Sequence, residues 1–436
     1  MTPCDLLVSA RWLLPVAPVN SALDNHAIAI SDGVIVAVGS ADELLKSLEP
    51  RERLDLDHHV VLPGLVNAHG HAAMTLLRGA GEDQSLQAWL SETIWPLEGR
   101  LVSAEFVRLG TTVAIAEMLA SGTTTFSDMY FFPEDCADVA DSLGVRAQVC
   151  FPVIEMTNVW SDGVADCLHK GLALSDTYRH HERIDIAFGP HASYTVSADS
   201  LEKVTMYANE IDAQVQIHLH ENAAEVEDAI QQTGQTWIKT LSDIGLLGPN
   251  LQAIHMTEVS DDDRALIAEA HTRVVHCPKS NLKLASGYSN IAALRKSGIT
   301  VGLGTDGAAS NNTLNLFNEA HVASLMAKHE SRDPTQGNAQ ESIAMATLEG
   351  AKVLGIDDKV GSLEVGKQAD FIAVDLDALS MLPNYDPFGA LLHGDAGNNV
   401  THAYVAGQNL YKDREFTRLD LSELTAKVRE WQSTSI

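Results

Sequence analysis

Short apolar runs alternate with longer amphipathic stretches between about residues 64 and 360. This alternation is typical of successive strand and helix units that build a parallel sheet. The apolar runs that qualify as strands are 65–68, 123–128, 146–152, 184–190, 215–220, 251–255, 273–276 and 300–306. Eight such units predict an α/β fold, a closed (β/α)8 or TIM barrel, whose active site lies at the carboxyl ends of its strands.

The two ends of the chain have a different pattern. Short β segments at 6–14 and 27–38 are matched near the C-terminus by segments at 370–375 and 402–410, with turn signals at Asp32-Gly33 and Ala406-Gly407. We therefore expect a small β-sandwich domain built from residues 1–62 and 362–436, and a barrel over 63–361. The stretch 421–431 predicts an amphipathic helix that packs rather than carries function.

Composition narrows the class of partner. The 436 residues include 59 acidic and 29 basic side chains, a net charge of −30, which disfavours binding to nucleic acid or to an anionic membrane. The five cysteines show no CxxC spacing, so they predict neither a disulfide framework nor a thiolate zinc site, and they indicate a reducing compartment. With no leader-like or membrane-length apolar stretch, we expect a cytoplasmic protein.

Histidines and an aspartate mark the ends of several predicted strands. His69 and His71 follow the apolar run 60–66, and their spacing puts both imidazoles on one face of a strand. Among 18 histidines such a pair also arises by chance or as a polar rim. However, His218, His255 and Asp306 close three further apolar runs, and together the five residues predict a metal-dependent enzyme.

Five ordered segments carry a family resemblance. They are GLVNAHGH at 64–71, HLHE at 218–221, His255, HCPKSNLKL at 276–284 and TDG at 305–307. Together they resemble the amidohydrolase superfamily, and more narrowly its methylthioadenosine/S-adenosylhomocysteine deaminase branch. The segment GSLEVGKQADF at 361–371 is similar to that family's return into its β domain, so the resemblance covers nearly the whole chain.

The resemblance implies that His69, His71, His218 and Asp306 bind one divalent metal ion, usually zinc. Three neutral imidazoles and a carboxylate suit such an ion, although the same ligands accept other divalent metals, and an open position remains for water. Zinc lowers the pKa of a bound water to about 7. Two-metal relatives use a modified lysine on the fourth strand, but residues 184–191 contain no lysine, so we expect a single ion.

The resemblance also assigns acid–base roles. Glu221 would protonate the ring nitrogen next to the attacked carbon, although the alternative is a helix N-terminal acid stabilised by the helix dipole. Asp306 would take a proton from the attacking water and His255 would orient or polarise that water. His220 shares a strand face with His218, yet the family motif places the ligand three residues before the glutamate, which leaves His220 as a hydrogen-bonded pocket histidine.

Two further matches concern the substrate, which Glu221 and Asp306 would also contact. Glu98 resembles a glutamate that accepts hydrogen bonds from both ribose hydroxyls, since a carboxylate has only acceptors, and its alternative is a surface helix acid. His191 resembles a purine or ribose contact, and its alternative is a packed histidine. Four more residues fit either a thioether pocket or simple core: Trp89, Met129, Tyr130 and Phe132.

These matches predict a zinc-dependent hydrolytic deaminase that converts 5'-methylthioadenosine to 5'-methylthioinosine and ammonia. Adenosine and S-adenosylhomocysteine are expected as secondary substrates, the latter disfavoured because residues 150–170 lack the arginines with which relatives hold its carboxylate. One alternative is a guanine- or cytosine-type base deaminase and another is a triazine-type chlorohydrolase; neither enzyme needs a diol acceptor. A third alternative is a non-catalytic scaffold, which would have broken metal motifs. The resemblance also allows a homodimer or higher homo-oligomer.

Overall fold

The structure is a computed structural model that describes residues 2–435. Its strands are β1 (Thr2–Leu13), β2 (Leu23–Ser31), β3 (Val34–Ser40), β4 (Leu48–Pro63), β5 (Leu65–Asn67), β6 (Thr123–Met129), β7 (Arg146–Val153), β8 (Ile184–Pro190), β9 (Val215–Leu219), β10 (Leu251–His255), β11 (Arg273–His276), β12 (Val301–Leu303), β13 (Phe371–Asp375), β14 (Val400–Val405), β15 (Gln408–Lys412) and β16 (Glu415–Phe416).

The α-helices are α1 (Ala41–Ser47), α2 (Leu86–Ala88), α3 (Trp95–Leu101), α4 (Ala104–Ala120), α5 (Pro133–Leu143), α6 (Val164–Tyr178), α7 (Ala198–Ile211), α8 (Ala223–Thr233), α9 (Trp237–Asp243), α10 (Asp261–Glu269), α11 (Pro278–Lys283), α12 (Ile291–Lys296), α13 (Ala308–Asn311), α14 (Leu316–Ser331), α15 (Ala339–Met345), α16 (Leu348–Leu354), α17 (Pro387–His393) and α18 (Leu421–Ser435). Short 3₁₀ helices span Ala72–Leu77, Leu379–Met381 and Ala396–Asn399, and a π-helical turn spans Trp89–Ile94.

Strands β5 to β12 form one parallel sheet in chain order. The sheet closes where the Ala68 amide, just beyond β5, donates to the Leu303 carbonyl of β12 at 2.8 Å. The predicted TIM barrel is therefore confirmed, and all eight strands lie where the apolar runs placed them. Closure brings the carboxyl ends of β5 to β12 around one opening, which is where chemistry occurs in such barrels.

The remaining eight strands form a separate mixed sheet in the order β16-β15-β14-β13-β4-β1-β2-β3, which confirms the small β domain built from both chain ends. Its two hairpin turns, Asp32-Gly33 and Ala406-Gly407, have positive φ at all four residues, as two-residue hairpin loops favour. The turns pack together, because a Cβ on Gly33 would lie only 2.5 Å from the Ala406 carbonyl oxygen. The exact residue boundaries of the two domains stay a prediction.

A buried ion pair joins the barrel to the β domain. The guanidinium of Arg146, at the start of β7, donates to both carboxylate oxygens of Asp370 at 3.0 and 3.2 Å. Helix α18 also packs on the barrel, with the Trp431 ring 5.8 Å from that of Phe106 on α4. Among residues 2–435, no helix is long and apolar enough to cross a bilayer.

Candidate active site

The candidate residues gather at the carboxyl ends of the barrel strands. A cavity of about 340 Å³ opens there, and the candidates that line it are Glu98, His71, His191, His218, Glu221, His255 and Asp306. His69 lies directly beneath, with no exposed surface. All eight site residues named from the sequence therefore belong to one region, although β5, β9 and β12 are far apart in the chain.

The four predicted metal ligands lie around His69, which groups with His71 and Asp306 on one side and with His218 on the other. The Nε2 atoms of His69 and His218 are 3.2 Å apart. The Asp306 Oδ1 atom lies 3.6 Å from Nε2 of His69 and 3.2 Å from Nε2 of His71. By mutual distance alone, His255 also groups with His69 and His218 as a possible ligand. The cluster thus has the geometry of a metal site, and His255 is a fifth potential ligand beside the four predicted ones.

Hydrogen bonds on the far side of each imidazole define its tautomer. Each Nδ1 faces an oxygen: Gln216 Oε1 for His69 at 2.7 Å, the Met129 carbonyl for His71 at 2.6 Å, and the His191 carbonyl for His218 at 2.8 Å. An oxygen without hydrogen can only accept, so each Nδ1 carries the proton and each Nε2 offers a lone pair. Lone pairs that face each other at 3.2 Å repel unless a cation lies between them, so these residues fit a divalent metal ion.

Electrostatics agree with a cation at this point. Burial tends to raise the pKa of Asp306, but the adjacent imidazoles of His69 and His71 outweigh it and hold that pKa well below its usual value. Burial would lower the pKa of His71, yet the adjacent Asp306 carboxylate raises it to about 9. A metal ion replaces such a proton, because imidazole binds metals only in its neutral form. The Ser280 and Ser310 hydroxyls donate to the other oxygen of Asp306 at 2.5 and 2.9 Å.

Glu221 lies between the end of β9 and the start of α8. Its carboxyl lines the cavity, with Oε1 3.7 Å from Nε2 of His255. Burial raises the pKa of Glu221 well above its usual value, and the nearby carboxylates of Asp306 and Glu225 add to the shift. A carboxyl whose pKa is raised keeps its proton to higher pH and is better suited to act as a proton donor. This geometry does not favour the alternative of a helix-end acid, since Asn222 rather than Glu221 caps α8.

His255 is held by Asn281, whose side-chain oxygen lies 2.8 Å from the histidine Nδ1. Burial lowers the pKa of His255, so the imidazole is neutral with Nε2 directed at the cavity. It can accept a hydrogen bond from water there, or bind the ion.

Glu98, on α3, is a half-buried cavity residue rather than a surface helix acid. The Tyr130 hydroxyl donates to its Oε1 at 2.7 Å. Burial raises the pKa of Glu98 to about 7, and the bond from Tyr130 opposes that rise. Tyr130, expected from the sequence only as pocket wall or core, is therefore also a hydrogen-bond partner of Glu98. Its only sequence signal is its position directly after β6.

His191 follows β8 and lines the same cavity, with Nδ1 3.0 Å from the Thr195 hydroxyl. Burial lowers the pKa of His191 to about 4, so it is neutral. His220 lies elsewhere: it is fully buried, does not line the cavity, and has its Nδ1 2.7 Å from the Glu258 carbonyl. His220 is therefore not placed to join the metal ligands.

The rest of the cavity is largely apolar. Of the proposed thioether residues, Trp89, Met129 and Tyr130 line it, whereas Phe132 does not. Met156, from the loop after β7, lines it as well. Within the part of the chain that the structure describes, no lysine or arginine lines this cavity. The walls therefore suit an uncharged, partly apolar ligand.

Comparison with known proteins gives a consistent result. The model of the amidohydrolase family matches residues 60–410. Proteins named 5-methylthioadenosine/S-adenosylhomocysteine deaminase from Teredinibacter turnerae and Saccharophagus degradans are each 45% identical over 431 residues, covering 99% of this chain and 98% and 97% of theirs.

Solved structures agree with these relatives. An adenosine deaminase from Xanthomonas campestris with bound zinc is 40% identical, covers 100% of this chain and 99% of its own, and superposes with a TM-score of 0.98. An atrazine chlorohydrolase from Arthrobacter aurescens, at 23% identity and a TM-score of 0.89, shares the fold.

Proposed function

Since the chain belongs to the amidohydrolase family, we propose that it is a metal-dependent deaminase of adenine nucleosides. Its main reaction is hydrolysis of the C6 amino group of 5'-methylthioadenosine, which gives 5'-methylthioinosine and ammonia. The observation that carries this proposal is one cavity lined by the histidine–aspartate cluster, the carboxyl of Glu221, whose pKa burial raises, and the carboxyl of Glu98. The names of the relatives at 45% identity describe the same substrate class.

His69, His71, His218 and Asp306 would hold one divalent ion, which we propose to be zinc. A zinc ion bound there lowers the pKa of water to about 7 and makes a nucleophile available at neutral pH. The bound zinc of the related adenosine deaminase supports zinc as the metal. The absence of lysine from β8, where the family resemblance places the modified lysine of two-metal relatives, supports a single ion.

The chain's own groups then move the protons. Glu221 donates its proton to the ring nitrogen beside C6 as the water oxygen attacks that carbon. Asp306 accepts a proton from the attacking water, and His255, held by Asn281, orients that water. Asp306 passes the proton it accepted to the amino nitrogen, the C6–N bond breaks and the nitrogen leaves as ammonia. The second hydrogen of the water returns to the Glu221 carboxylate, and the water oxygen becomes the C6 carbonyl oxygen.

Substrate selection follows from the cavity walls. Glu98 accepts hydrogen bonds from both ribose hydroxyls, and His191 contacts the purine or the ribose. The apolar side chains around Met156 receive the methylthio group. Because no lysine or arginine lines the described cavity, the zwitterionic tail of S-adenosylhomocysteine lacks a carboxylate partner, so this nucleoside is the poorer substrate, with adenosine as a slower alternative. A cytoplasmic location and a homodimer stay predictions.

An ammonia-release assay with purified, metal-loaded protein tests this proposal. The substrates are 5'-methylthioadenosine, S-adenosylhomocysteine, adenosine and guanine, compared by kcat/KM. We expect 5'-methylthioadenosine to rank first and guanine to be essentially unused. A best rate with guanine would overturn the nucleoside assignment. Release of chloride from a chlorotriazine, followed in a parallel assay, without ammonia release from any nucleoside would favour the chlorohydrolase alternative, and no turnover of any compound would favour the non-catalytic scaffold. A preference for S-adenosylhomocysteine would contradict the inference from the uncharged walls.

A further inference from the structure

We propose that Gln216 is a positioning residue for the metal site, holding His69 in the tautomer and orientation that present its Nε2 to the ion. The inference rests on the proposed function, since it takes His69 as a metal ligand. Gln216 lies on β9, two residues before His218, with no exposed surface. A strand has a side-chain period of two, so Gln216 and His218 project from the same face of β9.

All the polar atoms of the Gln216 side chain are engaged. Its Oε1 lies 2.7 Å from Nδ1 of His69. Its Nε2 donates toward three oxygens: the Ala68 carbonyl at 3.1 Å, the Ser127 hydroxyl at 3.1 Å and Gln252 Oε1 at 2.7 Å. We call Ser127, Gln216 and Gln252 the polar floor of the site.

The polar floor determines which way the Gln216 amide faces. The Ala68 carbonyl can only accept, so the NH₂ group of Gln216 must point toward it. The opposite end of the amide is then an oxygen, and it faces His69. Since that oxygen can only accept, His69 must carry its proton on Nδ1, which leaves the lone pair on Nε2. The Ala68 carbonyl therefore sets the orientation of the Gln216 amide, and that orientation sets the tautomer of His69.

The buried side-chain amide of Gln216 is unusual for the interior of a (β/α)8 barrel. The interiors of (β/α)8 barrels are generally filled by branched apolar side chains, and burying an amide is costly unless it is hydrogen-bonded. Here β9 carries both a metal ligand, His218, and the residue that orients a second ligand on β5, on the opposite side of the barrel. Gln216 therefore links the two strands at the level just below the proposed ion.

Substitution of Gln216 by methionine tests the assignment, because methionine has a similar length and volume but replaces the amide oxygen with a thioether sulfur, which is only a weak acceptor for the His69 proton. Groups that orient metal-binding histidines contribute about 10- to 100-fold to metal affinity. We therefore expect Q216M to bind zinc about 10- to 100-fold more weakly than wild type in competition with a chromophoric chelator. Activity is not needed for this measurement.

Gln148→Met is the matched control. Gln148 is also buried in the barrel, on β7, where it donates to the Leu354 carbonyl at 3.2 Å. It accepts a long hydrogen bond from Ser127 of the polar floor at 3.5 Å but bonds no histidine. We expect Q148M to keep the zinc affinity of wild type. A merely structural role for Gln216 would lower the melting temperature of the metal-free protein and leave the zinc affinity of the folded fraction unchanged. Equal zinc affinity of Q216M and Q148M would therefore overturn the inference.

Gln216→Glu covers the case in which Q216M does not fold. A carboxyl at this position still accepts the Nδ1 proton of His69, so Q216E should lose less than about tenfold in zinc affinity, below the effect of removing the acceptor. A loss of about 100-fold or more in folded Q216E would refute the positioning role. If wild type itself binds no zinc, the metal assignment of the proposed function fails, whereas zinc binding that is insensitive to Gln216 overturns only this inference.

Discussion

Glu98→Ala is the substitution that most directly tests how the cavity selects a nucleoside. One oxygen of Glu98 accepts the Tyr130 hydroxyl at 2.7 Å, yet each carboxylate oxygen has two acceptor sites, so capacity remains for both ribose hydroxyls. A hydrogen bond to a charged group contributes about 1.5–3 kcal/mol. Loss of two such bonds, about 3–6 kcal/mol, corresponds to a fall of about 10²- to 10⁴-fold in kcat/KM for 5'-methylthioadenosine.

The assay compares 5'-methylthioadenosine with 2',3'-dideoxyadenosine, which has no diol. Glu98→Ala should reduce the efficiency for the first compound far more than for the second, since only the first makes the lost bonds. Glu92→Ala is the control, because Glu92 lies in the same segment but is exposed and does not line the cavity. An equal loss for both nucleosides, or no loss for 5'-methylthioadenosine, would refute the diol argument.

The pH profile supplies a second test of Glu98. Burial raises the pKa of this carboxyl to about 7, and the protonated form loses part of its acceptor capacity. Wild-type kcat/KM for 5'-methylthioadenosine should therefore fall as pH drops through about 7, as the free enzyme gains the proton. In wild type, kcat/KM should fall more steeply at low pH for nucleosides with a diol than for nucleosides without one. In Glu98→Ala this difference between the two kinds of nucleoside should disappear. Identical profiles for the two proteins would remove Glu98 from substrate binding.

Three further predictions concern catalysis, metal binding and stability. Glu221→Gln should retain the metal and lower kcat by on the order of a hundredfold or more, and near-normal turnover would return Glu221 to a structural role. His218→Ala should lose the metal ion by elemental analysis whereas His220→Ala keeps it, and the reverse pattern would exchange the two assignments. Arg146→Met should destabilise the protein by about 3–5 kcal/mol in denaturant titrations, because it leaves the buried Asp370 carboxylate without a positively charged partner. A cost below about 1 kcal/mol would show that Asp370 finds another partner.

The architecture could be predicted because its signals are local. Each barrel strand is a short apolar run, and each of the predicted β-domain turns carries a glycine in a hairpin position. Local periodicity specifies where a strand lies and which residue closes it. The positions of His69, His218 and Asp306 at strand ends therefore follow from the sequence pattern alone.

The contacts that tune the site could not be predicted in this way. Tyr130 donates to Glu98 across 32 positions of sequence, and Gln216 bonds His69 across 147. Neither partner belongs to a recognisable motif, because a tyrosine after a strand or a glutamine within one is most often part of the core. Only the packing of α3 against the barrel mouth, and of β9 opposite β5, gives these side chains their partners.

The sequence by itself determined the order of the strands, the composite β domain and the types of residue available at each strand end, since these depend on side-chain period and short-range turn chemistry. Closure of the barrel determined the distances between the site residues. The two imidazoles of His69 and His218, 149 positions apart, meet at 3.2 Å because hydrogen-bonded register around eight strands fixes their relative height. The same closure buries Glu221 among other carboxylates and so raises its pKa, a property that depends on neighbours in space rather than in sequence.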